Sequence, residues 1–185
     1  MDGYGVVAIV VMSATVAWAV QVLGFGPAAR TMKATGGVGI VGMEFLWSRE
    51  RAAAVLHRWG TVGRRAAVQS LWWDFLFIAS YGSGGFVLAL SIASHARDGR
   101  GSPGWGTLAL VGAWGVVVAA VLDVVENVAL LLLLRRSDHG GDSGIAAGGV
   151  NLPLVASVAA LAKWLLVAVS VVAVVTVALL FVAAP

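Results

Sequence analysis

Four ionisable side chains stand inside otherwise uncharged apolar stretches: Asp74, Asp123, Glu126 and Lys163. Residues of these types within a membrane span are costly and by default mark function. A carboxyl sheltered from water is either a general acid or a link in a proton relay, and a nearby ammonium biases how many protons it holds. Asp123, Glu126 and Asn127 are spaced i, i+3, i+4 and share one helical face. Tyr81 lies seven residues beyond Asp74, on the same face and about 10 Å further along the axis. Trp72, Trp73, Phe75 and Phe77 surround Asp74 in the sequence, and Trp164 adjoins Lys163. Aromatic faces beside an acid can stabilise a cationic intermediate. The spacing therefore nominates Asp74, Asp123 and Glu126 as acid–base groups, with Asp123 or Glu126 as the proton donor. Asn127 is expected to orient that donor and Lys163 to tune it. Trp73, Phe77, Tyr81 and Trp164 are expected to line the substrate side.

Depth brings the four charges together. Asp74 follows Arg65 by nine residues and Glu126 precedes Arg135 by nine, in each case roughly 13 Å of helical rise. Lys163 lies about 11 residues beyond Leu152, or roughly 16 Å. Gln21 is expected near the same layer. One lysine faces three acids, so full ionisation would leave a net charge of minus two at low dielectric. At least one carboxyl is then expected to hold a proton. Two other arrangements use the same residues, a bland one and a variant that keeps an enzyme but changes its chemistry. One is a structural salt-bridge network. The other is a Mg²⁺ site in which Asp74, Asp123 and Glu126 bind the ion and Lys163 a lipid phosphate. The proton-based reading needs no cofactor.

The elements that must position these groups follow from the composition. The chain has 185 residues, 60% hydrophobic and 11% charged, where soluble domains carry about 25% charged residues. Four stretches reach the length of about 20 apolar residues that a membrane span needs. They are residues 6–25, 68–94, 106–134 and 154–182. Seven Lys and Arg fall in the first loop, two in the second and two in the third; the twelfth basic residue is Lys163. By the positive-inside rule the first and third loops are cytoplasmic and both termini lie outside. The stretch 49–67 reads as an interfacial amphipathic helix capped by Ser48. Ala52, Val55, Leu56, Trp59, Val62 and Ala66 lie on one face, and Arg51, Arg58 and Arg65 on another, placed for anionic headgroups. The whole is an all-α integral membrane four-helix bundle, one domain over 1–185, with a cytoplasmic interfacial helix between the first two spans.

Several function classes drop out. Zero cysteines remove disulfide, iron–sulfur and thiol chemistry. A basic excess of only +3, placed to set topology, does not indicate nucleic acid. Gly37, Gly39 and Gly42 copy the spacing of a dinucleotide fingerprint, but without the strand and the later acid it needs. His57, His95 and His139 lack ligand spacing for zinc. Gly82, Gly84 and Gly85 read as a kink or a close helix contact.

Three stretches carry a resemblance. They are Gly39-Ile40-Val41 through Glu44-Phe45, Trp59-Gly60 through Arg64-Arg65-Ala66-Ala67, and Leu71 through Asp74-Phe75-Leu76-Phe77 to Tyr81. With Leu122-Asp123-Val124-Val125-Glu126-Asn127 and Lys163, they resemble a family of small four-span bacterial membrane proteins. The resemblance implies the four-span topology, a shared intramembrane site and the bacterial cytoplasmic membrane. In architecture alone the chain is also similar to small integral-membrane terpene cyclases. That likeness implies protonation of an isoprenoid alkene or epoxide. The expected activity is proton-initiated cyclisation or isomerisation of a lipophilic, isoprenoid-like substrate. The alternatives are a proton- or cation-coupled small transporter or channel, and a structural subunit. The expected partners are membrane lipids, a lipophilic small molecule and a second copy of the chain.

Overall fold

The computed structural model describes residues 3–96, 103–146 and 149–183, all helical or connecting, with no strand among the described residues. Six α-helices follow one another: α1 (Gly3–Val20), α2 (Gly26–Ala34), α3 (Ile40–Glu44), α4 (Arg49–His95), α5 (Pro103–Ala146) and α6 (Leu152–Ala183). A π-helical turn, Gln21–Phe25, joins α1 to α2 without a break. Among the described residues, four helical stretches are long and apolar enough to cross a membrane: Tyr4–Ala34, Arg49–His95, Gly104–His139 and Leu152–Leu180. The first three expected spans lie within these stretches, and the fourth, 154–182, ends two residues beyond Leu180, still inside α6. Arg97 and Arg100, the basic residues of the second loop, lie outside the described residues.

Local sequence explains the departures from ideal helix. A proline inside a helix removes one backbone bond and its ring clashes with the carbonyl four residues back. Pro27 meets this by following a widened turn, in which Gly26 N–H donates to Gln21 O. Gln21 itself is exposed and does not join the polar layer. At the start of α4, Ser48 Oγ accepts from Arg51 N–H at 3.3 Å, the cap the sequence predicts. Gly82, Gly84 and Gly85 leave α4 helical, and Gly84 is buried against Ser13 of α1.

The amphipathic stretch differs from expectation in two ways. It ends at Gly60 rather than near residue 67, because Gly60 takes φ +55° and ψ −156°. That backbone region is essentially restricted to glycine. The break rotates the following helix, so Val62 is exposed and Gly63 takes the buried position instead. Second, its apolar face is covered by protein rather than left to lie in the bilayer interface. Ala52, Val55, Leu56 and Trp59 join Met32, Met43, Leu130, Leu134 and Ala156 in one core cluster. Arg51 and Arg58 remain exposed on the other face. A β-carbon at Gly60 would meet no neighbour, so the backbone alone sets the cost of substitution. Gly60→Ala should destabilise the protein by about 1–3 kcal/mol, read as a lowered unfolding midpoint in detergent.

The long helices pack in chain order. The α1–α2 stretch lies on α4, α4 on α5 and α5 on α6, and α4 meets α6 over a short length. Small residues line the contacts: Ala109, Ala113, Ala119, Ala160 and Ala173 are buried. Without a hydrophobic drive inside lipid, such close backbone approach is what holds helices together.

Candidate functional site

Helices α5 and α6 each contribute part of one buried cluster. Lys163 Nζ donates to Asp123 Oδ1 at 2.5 Å and lies 2.8 Å from Glu126 Oε2. Asp123 is 4% exposed, Glu126 1% and Lys163 6%. The i, i+3 spacing sets both carboxylates on the same side of α5, facing one lysine of α6. Asp123 is an acceptor on both oxygens, because Tyr81 Oη donates to its Oδ2 at 3.0 Å. Glu126 Oε2 is buried, and Lys163 is its ion-pair partner.

Asn127 takes a different partner from the one expected. Its Nδ2 donates to Asp74 Oδ2 at 2.8 Å, so it orients the acid of α4 and neither acid of α5. The reason is rotational. Asn127 is one position beyond Glu126, which turns it about 100° around α5 and away from Lys163. Asp74 is half-buried, as are Tyr81 and Phe77. The Phe25, Phe77 and Tyr81 rings form a run, with centroids 5.7 and 5.4 Å apart. Trp73 fits against Gly24, where a β-carbon would overlap its ring. This is the aromatic side of the site.

The sequence reading missed Glu44. It closes α3, outside the long helices, and is 8% exposed. Its Oε2 accepts from Trp164 Nε1 at 3.1 Å and lies 3.8 Å from Lys163 Nζ. Ser157 Oγ pins the segment to α6, donating to Glu44 O at 2.9 Å and accepting from Trp47 N–H at 3.0 Å. Burial pushes the Glu44 carboxyl up from the ordinary glutamate value, against the pull of Lys163 and the Trp164 N–H. Its available signal was an acid flanked by Met43, Phe45 and Leu46, a setting unlike a solvated loop. Trp164 thus serves Glu44 with its ring N–H, while its ring is largely exposed at 49%. Lys163 Nζ also lies 5.8 Å from that ring.

The cluster therefore holds one ammonium and four carboxyl groups. Full ionisation would leave a formal charge of minus three, one more than the sequence indicates. The Mg²⁺ arrangement asks Asp74, Asp123 and Glu126 to converge. Asp123 and Glu126 instead point at Lys163, and Asp74 at Asn127. No group of three His, Cys, Asp or Glu with metal-binding geometry occurs among the described residues.

The polar cluster occupies one half of the helices' length. Towards the other end, α4 beyond Asp74, α5 before Asp123 and α6 beyond Lys163 carry no Asp, Glu, Lys or Arg among the described residues. Ser80 and Ser83 of α4 turn back on their own helix. Ser80 Oγ donates to Phe77 O and Ser83 Oγ to Ala79 O, each at 2.7 Å. The network ends at Tyr81 and its aromatic neighbours.

Long apolar helices around a buried ion cluster are the features of a multi-pass helical membrane protein. Comparison with family models, curated proteins and solved structures gives no match.

Proposed function

We propose that the chain is an integral membrane enzyme that acts on a lipophilic, isoprenoid-like substrate by intramembrane acid catalysis. The observation that carries this reading is the cluster's composition and shape. Three carboxyls contact one ammonium, a fourth is held by Asn127, and the network stops at an aromatic face in mid-helix. A store of protons that opens onto aromatic rings suits protonation of a hydrocarbon better than passage of an ion.

The roles follow from access. Asp74 is the acid that a substrate can reach, since it is half-buried beside Phe77 and Tyr81. Asn127 holds it. Asp123, Glu126, Glu44 and Lys163 stand behind as the charge-balancing group. The Asp74 O–H proton passes to an alkene carbon, bonded there by the alkene π pair, or to an epoxide oxygen as its C–O bond breaks to leave a hydroxyl, and the O–H electron pair stays on the carboxylate. The carbocation formed is held against the Phe25, Phe77 and Tyr81 faces. Loss of a neighbouring C–H proton to a carboxylate restores an alkene and the acid. The net change is isomerisation or cyclisation, without redox chemistry or a cofactor.

A proton- or cation-coupled carrier would use the same acids, but its relay would have to continue to the far ends of the helices. On α4, Ser80 and Ser83 bond back to their own helix and do not extend that relay.

The basic residues support an orientation in a bacterial cytoplasmic membrane. Arg30, Lys33, Arg49, Arg51, Arg58, Arg64, Arg65, Arg135 and Arg136 all belong to the same end of the helices as α3. That end is cytoplasmic by the positive-inside rule, with both termini outside.

The test is isotopic. Purified protein in liposomes made in D2O is given a linear polyisoprenoid alkene or its terminal epoxide. The expected result is an isomerised or cyclised product, carrying carbon-bound deuterium when the probe is the alkene. Recovery of both probes unchanged and unlabelled would contradict the proposal.

A further inference from the structure

A second site lies along α4 between Thr61 and Leu76. A groove of about 890 Å³ is lined by Thr61, Arg64, Arg65 and Gln69 at one end and by Trp72, Trp73 and Leu76 at the other. Asp138 of α5 forms part of its rim.

The polar end has a built and an unbuilt half. Arg64 is held in place: its Nη1 donates to Ser137 Oγ at 2.9 Å, and its Nε donates to Gly60 O at 3.1 Å and lies 3.4 Å from Asp138 Oδ1. Arg65 is exposed and has no ion-pair partner among the described residues. Two arginines against one aspartate leave a single positive charge, supplied by Arg65. The length is also specific. Arg65 to Leu76 is eleven residues of helix, about 16 Å of rise. That is about half of the ~30 Å hydrocarbon core, the depth of one leaflet. A cationic head, amide and hydroxyl donors beside it, and an aromatic wall one leaflet deep complement a single amphiphile.

From this geometry we infer that the groove binds one anionic phospholipid. Its phosphodiester lies against Arg65, with Thr61 and Gln69 as neutral partners. One acyl chain runs down Val68, Trp72 and Leu76. Only one net charge is available, so a monoanionic phosphodiester fits and the second negative charge of a phosphomonoester is left unpaired. The inference does not depend on the proposed catalysis, because its readout is lipid binding and not turnover.

Native mass spectrometry of the detergent-purified full chain tests it, with phosphatidylglycerol and phosphatidylcholine of matched chains as probes. Phosphatidylglycerol should bind about fivefold better than phosphatidylcholine, the ratio expected for one arginine at a membrane surface. Arg65→Gln should abolish that preference and leave the unfolding midpoint unchanged. Arg58→Gln, which removes an exposed arginine from the neighbouring segment, should leave the preference intact. Equal binding of the two lipids, or an Arg65→Gln protein that keeps the preference, overturns the inference. Full displacement of phosphatidylglycerol by chain-free glycerol phosphate at equal concentration also overturns it, by showing a phosphate site in which the aromatic wall has no part.

Discussion

Lys163→Met should reduce the yield of folded, monodisperse protein more than any other single change in the cluster. Methionine keeps most of the side-chain volume, so the packing of α5 on α6 loses little. The charge is what disappears. Lys163 Nζ lies within 4 Å of Asp123, Glu126 and Glu44, and no second cation contacts those three among the described residues. An intact buried ion pair adds little net stability, because desolvation cancels most of the attraction. Removing one partner is different and costs about 3–5 kcal/mol. The check is thermal unfolding in detergent, combined with a double variant. Lys163→Met with Asp123→Asn should recover part of the loss, because one uncompensated carboxylate has also gone. A Lys163→Met protein as stable as the parent would show that the carboxyls do not depend on the ammonium.

The second large effect is on turnover. Asp74→Asn should remove the reachable acid while keeping the fold, because the new side-chain carbonyl can still accept from Asn127 Nδ2. General acid catalysis contributes about 10²–10⁴-fold, so deuterium transfer should fall by that factor with an unchanged unfolding midpoint. Glu126→Gln should also lower turnover, with a structural loss limited by the two carboxylates, Asp123 and Glu44, that still face Lys163. Asp123→Asn should behave differently. Both of its oxygens accept from charged or hydroxyl donors, Lys163 and Tyr81, and an amide can satisfy only one of them as an acceptor. It should lose stability as well as activity. Equal activity in the parent and Asp74→Asn would place the chemistry elsewhere.

The parts of this architecture that were legible in the sequence are those set by local rules. Long uncharged runs announce the helices, and a charge within such a run must find a partner or a proton. That rule places Asp123, Glu126 and Lys163 in one layer before any coordinates exist. Ser48 was legible for the same reason, since a cap acts within three residues. What escaped needs a rotation or a distant contact. Helical spacing puts Asn127 on roughly the right face but does not decide between Glu126 and Asp74 as its partner. Glu44 escaped because it lies between the long helices, where an acid ordinarily faces water. Only the Ser157 and Trp164 contacts, more than 100 residues away, bring it to Lys163. Gly60 interrupts an apolar face whose period predicts continuity, and the break moves the buried position from Val62 to Gly63.

The central claim is that the buried cluster carries a transferable proton at neutral pH. Infrared difference spectroscopy of the protonated-carboxyl stretch, in H2O and D2O, reads this directly. A deuterium-sensitive protonated-carboxyl band at neutral pH, diminished in Asp74→Asn or Glu126→Gln, is the predicted result. Absence of that band in the folded parent protein would mean that all four carboxyls are ionised, and would contradict the account.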